Sequence, residues 1–302
     1  MKNFRISKRE TVRDNIMRIL LEQVDYILEL CENEQEDIHR SIHEIRKSIK
    51  RIRAVLRLIR EEIGFSTYYR ENVFYRDINR TTSDLRAYNV LALTLEKFSS
   101  DLSKKIPPEN MEPLIRSISD KRERLLSGIL SSKGLLKDLA SEFSKARAII
   151  PDLPIEQNGF EVFSGGVSRM YRQGRDYLIS AKENPDMHQL HDMRKRMKYL
   201  WYHMEILKPI YPGTLKAYAN SLENITEKLG IYHDLAVLEQ FLEMEDVGLE
   251  RQFQQTLLDA CEFKKAGLLP GIMRMSEAAY IEEPDAFMHR ISEYWKIFYR
   301  QT

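Results

Sequence analysis

One pattern limits the possible folds more than any other, a cation-rich helical register that occurs twice. Residues His43 to Arg57 read HEIRKSIKRIRAVLR, and 148 positions after His43 the run from His191 to Lys198 reads HDMRKRMK, repeating the spacing H-x-x-R-K-x-x-K. At 100° per residue, Arg46, Lys47, Lys50, Arg53 and Arg57 fall within about 80° of His43, while Ile45, Ile49, Ile52, Leu56 and Ile59 gather at about 160° to 240°. The second copy places Arg194, Lys195 and Lys198 like their counterparts, with Met193, Met197, Leu200, Met204 and Leu207 as its apolar stripe. Trp201 and Tyr202 are expected to extend its polar side. Each copy predicts a helix with a core stripe opposite an imidazole and a row of cations.

The rest of the chain is read as helical too. Gly and Pro number only 12 and 10 in 302 residues, and no stretch alternates with period 2 between hairpin signals. Helices are predicted over about 9–31, then, after a polar patch at 32–37, on to about Gly64, and over 68–103, 111–147 (interrupted near Gly128 and Gly134), 160–182, 186–207, 213–244 and 285–300. Asn184 is the expected N-cap of the sixth, with Pro185 at its first position. Gly248, Gly267, Pro270, Gly271 and Pro284 are expected to break up the segment after 244. Pro151-Asp152-Leu153-Pro154, followed by Gly159, stands at the midpoint. The expectation is an all-α chain divided into halves 1–153 and 154–302, each a helical bundle.

Overall charge says little about partners, because a charged fraction of 31% nets only +1; local arrangement must decide. Cys31 and Cys261 lack metal-ligand spacing and read as reduced thiols of a cytoplasmic protein. The first residues lead into no apolar run, so no signal peptide is expected, and no apolar stretch approaches the ~18 residues of a membrane span.

A cation face is commonly just a solvated face, but such faces usually mix signs. Here Arg46/Lys50, Arg53/Arg57 and Arg194/Lys198 are like pairs at i,i+4, each costing a few tenths of a kcal/mol. That repulsion points to an anionic partner. A second repeat lies 42 to 43 residues after each histidine: Arg86-Ala87 in one half and His233-Asp234 in the other. Arg76, Arg80 and Arg86 could join the basic face from a neighbouring helix, whereas Asp234 reads as an internal partner for a basic residue.

These two motifs resemble those of the CHAD family (conserved histidine α-helical domain), over about residues 10 to 300. The resemblance implies two tandem four-helix bundles related by pseudo-two-fold symmetry, with basic helices lining a central groove that binds inorganic polyphosphate. Carried over by motif position, the contacts are His43, Arg46, Lys47, Lys50, Arg53, Arg57, His191, Arg194, Lys195 and Lys198. Arg76, Arg80 and Arg86 follow, then Arg172 and Arg175. The chain departs from the family pattern in that neither half keeps both members of the R-D pair, and Glu223 and Glu227 stand where the first half has Arg76 and Arg80.

The chemistry suits a phosphate polymer. Cations at i, i+3, i+4 and i+7 form a ladder rising ~1.5 Å per residue, with Arg gripping two oxygens and Lys acting as a point charge. A metal site at His39/His43 or His188/His191 is the rival, disfavoured by the cations around it. Nucleic acid is disfavoured by the lack of a stacking platform, and a plain helical scaffold is the remaining reading. No P-loop, hydrolase triad or carboxylate cluster appears, so neither an enzyme nor a cofactor is expected. Association with polyphosphate granules is compatible with this reading.

Overall fold

A computed structural model describes residues 4–33, 38–81, 83–102, 106–131, 134–244 and 249–300. Among these the chain forms helices α1 (Val12–Glu32), α2 (Ile38–Leu58), α3 (Arg60–Ile63), α4 (Phe65–Arg80), α5 (Ser83–Leu102), α6 (Pro108–Ser131), α7 (Leu135–Ile149), α8 (Glu161–Glu183), α9 (Met187–Leu207), α10 (Pro212–Met244), α11 (Arg251–Ala279) and α12 (Pro284–Arg300). Short 3-10 turns occupy Ile150–Asp152 and Lys208–Ile210. No strand occurs among the described residues, so the fold is all-α.

Local chemistry sets most helix ends. Thr11 caps α1, its hydroxyl accepting from the Asp14 amide at 3.1 Å. Gly64, at φ +75°, separates α3 from α4 in a conformation that a side chain would strain. Two expectations need correction. The cap of α9 is Asp186 rather than Asn184: its carboxylate accepts from the Gln189 amide at 2.7 Å, and a negative charge there also complements the helix dipole. The segment from Arg251 to Ala279 is not broken up, because α11 runs unbroken through Gly267, Pro270 and Gly271; the expected break at Pro284 is present, where α12 begins. Pro270 forfeits one backbone hydrogen bond, but Leu257, Cys261 and Ile272, all fully buried, hold the helix on both sides of it. Gly248 lies outside the described residues.

The chain forms two compact units, and each draws on both halves of the sequence. The first comprises Met1–Arg80, Leu136–Thr226 and Ser276–Thr302; the second comprises Thr81–Leu135 and Glu227–Met275. The boundary expected at 153/154 therefore falls inside the first unit. The reason is local: the proline-rich segment is docked rather than loose. Arg13 of α1 donates to the carbonyls of Pro151 (2.6 Å), Leu153 and Ile155 (both 3.2 Å), and the Asn158 side chain accepts from the Val12 amide at 2.7 Å.

In the first unit α1, α2, α8, α9 and α12 bury Ile16, Leu20, Ile27, Ile49, Ile52, Phe163, Tyr171, Met193, Met197 and Phe287. Tyr171 stacks on Phe287 at 4.0 Å between ring centroids. Gly166 lets α8 press onto the end of α2, since a Cβ there would lie 2.2 Å from the Leu58 carbonyl oxygen. The second unit has its own core of Leu91, Leu95, Ile106, Met111, Leu114, Ile118, Leu235, Leu238, Phe241, Leu242, Leu257 and Cys261.

Candidate anion-binding site

The apolar stripe of α2 is buried as the angular plot requires: Ile45, Ile49, Ile52, Leu56 and Ile59 are all 3% exposed or less. The opposite side meets α4. Asn72 of α4 accepts two guanidinium bonds on one amide oxygen, from Arg53 Nε at 3.1 Å and from Arg57 Nη1 at 2.8 Å. Arg57 also donates to the Arg53 carbonyl at 3.1 Å and lies over the Tyr199 ring of α9, 4.2 Å from its centroid. Arg46 donates to the main-chain carbonyl of Asn79. On α9, Arg194 donates through Nε to the Thr226 carbonyl at 3.1 Å, and Lys198 sits 3.6 Å from the Trp201 ring centroid.

For Arg53 and Arg57, a neutral oxygen and, for Arg57, a ring face fix the cation without a bonded carboxylate. The electrostatics agree: burial holds the Arg53 guanidinium below its ordinary range, with Arg57 and Arg76 adding like-charge repulsion while Tyr199 and Tyr68 oppose the shift. His43 and Lys50 are exposed on the same helix, and His191 is half-buried on α9.

Other expected contacts are anchored differently. Lys47 pairs with Glu44 at 3.0 Å, and Lys195 pairs with Asp192 one turn earlier. Burial raises the Asp192 carboxyl, but hydrogen bonds from Lys195 and Tyr177 outweigh it and leave the group below its ordinary value. Arg76 and Arg80, at the end of α4, share Asp77 at 2.8 and 3.6 Å. That bond to Arg76 chiefly holds the Asp77 carboxyl below its ordinary value.

Arg172 and Arg175 lie on α8 and bond to Asp285 and Glu283 at the start of α12. Arg86 belongs to the second unit, where it lines a cavity of about 280 Å³ with Lys97, Asp234 and Lys264. The structure thus gathers the α2, α4 and α9 cations within the first unit and places Arg172 and Arg175 at another contact. Among the described residues no group of three or more His, Cys, Asp or Glu side chains could hold a metal.

Sequence reasoning missed the residues that position the cations. Asn72 carries no periodic signal, and the Asn79 and Thr226 anchors are main-chain atoms. Tyr199 could have been found, since it falls about 80° from His191 on the wheel. Trp201 and Tyr202, expected on the polar side, are 5% and 4% exposed. Phe4 packs edge-on against Tyr202 at 5.9 Å, and the Ile6 amide donates to the Ile206 carbonyl at 3.0 Å, so the N-terminal segment covers that face. His203 is fully buried, and its Nε2 lies 3.1 Å from the Ala54 carbonyl of α2.

A family model described as CHAD domain matches residues 18–243, three quarters of the chain. The chain belongs to the CHAD family. A solved relative, the crystal structure of the CHAD domain from the plant Ricinus communis, superposes with a TM-score of 0.53 at 16% identity, covering 95% of this chain and 93% of that chain. At that identity the likeness establishes the shared CHAD fold. No curated protein sequence matches the chain. The His191 helix, the Asn72 bracket and the Arg53/Arg57 pair all fall inside the matched CHAD region.

Proposed function

We propose that this CHAD domain binds inorganic polyphosphate along the cation set of α2, α4 and α9, without turnover and without a cofactor. The observation that carries the reading is the Asn72 bracket: Arg53 and Arg57, one turn apart, rest on a single neutral oxygen. Two adjacent guanidinium groups that share an amide oxygen rather than a carboxylate retain much of their attraction for a polyanion. His43, Arg46, Lys50, Arg194 and Lys198 extend the set, with His191 as a further donor. Lys47, Lys195, Arg76 and Arg80 would exchange a side-chain carboxylate for phosphate oxygen. The setting is the cytoplasm, with polyphosphate granules as the place of association.

The test is a salt titration of long-chain polyphosphate binding, run beside duplex DNA at equal phosphate. Binding should fall steeply with salt, as counterion release demands, and be indifferent to chelator. R53A/R57A should weaken it at least tenfold with helicity unchanged. DNA competing on equal terms would favour a general polyanion surface, and chelator-sensitive binding would overturn the proposal.

A further inference from the structure

A second basic site lies in the first unit and shares no residue with the cation set above. It is a cleft of about 820 Å³ lined by the N-terminal segment from Arg5 to Glu10, by Arg18 and Glu22 of α1, by Lys208 and Pro209, by Pro212 and Lys216 of α10, and by Phe298 of α12. Six cations face two carboxylates there. Both carboxylates engage the same guanidinium: Glu10 meets Arg18 at 2.9 Å and Glu22 meets it at 3.7 Å. Lys208 pairs with Glu205 at 2.6 Å. Arg5, Lys8, Arg9 and Lys216 form no ion pair among the described residues.

The loop that presents three of these charges is built, not frayed. Asn15 is fully buried, and its side chain accepts from the Ser7 amide at 2.6 Å while donating to the carbonyls of Ser7 (2.9 Å), Glu10 (3.2 Å) and Thr11 (3.0 Å). Arg18 donates to the Arg5 carbonyl at 2.9 Å. Phe4 and Ile6, each 3% exposed, pin the loop from below. A buried amide spent on one short loop fixes the positions from which Arg5, Lys8 and Arg9 project. The N-terminus of the 33-residue α10 opens at the same cleft, adding the positive end of its dipole.

We infer that this cleft binds a triphosphate group, either free tripolyphosphate or the triphosphate of a nucleotide. Four uncompensated cations around a cleft of ligand size match an anion of about four charges. The Phe298 ring, with Lys8 5.8 Å from its centroid, gives one wall a flat apolar surface. The inference stands independently of the polyphosphate proposal, because it uses none of the same side chains.

Calorimetric titration of the full chain with tripolyphosphate and with ATP, both without metal, tests it. In the R53A/R57A background, tripolyphosphate should still bind at one site. K8A/R9A/K216A in that background should weaken it at least tenfold. K216E alone, at an exposed helix position, gives the same readout should the triple variant lose its fold. Equal affinities for the two probes would assign recognition to the triphosphate alone; tighter ATP binding would add the Phe298 wall, and either supports the cleft. Unchanged affinity in the cleft variants, or loss of all tripolyphosphate binding in R53A/R57A, would overturn the inference.

Discussion

His203 makes the first unit acid-sensitive in a way that can be calculated. Its ring is fully buried; Nε2 must carry the proton that the Ala54 carbonyl accepts, and Nδ1 has no hydrogen-bond partner among the described residues. Protonating Nδ1 would bury an uncompensated charge, so burial lowers the group from 6.5 to about 3, the Ala54 bond opposing the shift and Arg57 adding to it. The folded value is depressed, so between the two values the unfolded chain binds more protons than the folded one. Stability from this group is therefore complete above about pH 6.5 and is lost as pH falls toward 3. From pH 7.5 to 5.0 the loss comes to about 2 kcal/mol, and at pH 4 to about 3 kcal/mol. Both tryptophans, Trp201 and Trp295, belong to the first unit, so urea unfolding followed by tryptophan fluorescence reads that unit. His203→Gln retains a donor for Ala54 but does not titrate. Wild type should lose about 2 kcal/mol more than the variant between pH 7.5 and 5.0. A gap between the two that does not change with pH would refute the reasoning.

Other consequences are open to direct measurement. Asn72→Asp would supply Arg53 and Arg57 with a carboxylate, and should weaken polyphosphate binding several-fold in a retention assay while leaving thermal stability equal or higher. Gly166→Ala forces α8 off the Leu58 carbonyl and should cost about 1–3 kcal/mol in urea unfolding. Burial, with help from Glu32, pushes the Cys31 thiol up to about 11, and burial, with help from Glu239, pushes Cys261 up to about 12. Neither should react with a thiol reagent at pH 8 until the chain unfolds, whereupon both should.

The helical character of the chain and the inward face of α2 were legible because both depend on a period that the sequence states directly. The second half of α9 was not. The wheel there shows a mixed face, and only the return of Phe4 and Ile6 from the other end of the chain buries Trp201 and Tyr202. The cation row was legible for the same reason as the stripe opposite it. What separates Arg53 and Arg57 from Lys47 and Lys195 was not, because it depends on the acceptor each one meets. For Lys47 and Lys195 that acceptor lies one turn away, whereas for Arg53 and Arg57 it is an amide on another helix. The ion pairs of Arg172 and Arg175 were equally illegible, because the start of α12, more than a hundred residues later, brings two carboxylates to them.

The interleaved first unit also bears on how the chain is made. Helix α2 packs on α8 and α9, and α9 ends about 150 residues after α2. At 5–20 residues per second, a ribosome takes roughly 7–30 s to supply that cover. During this interval the side of α2 that meets α8 and α9 lacks its final cover, although α1 and α4 already pack on the helix, which makes the nascent N-terminal third a natural client for a chaperone. Fragments cut at 153/154 should each be insoluble when expressed alone, and should regain solubility when synthesised together.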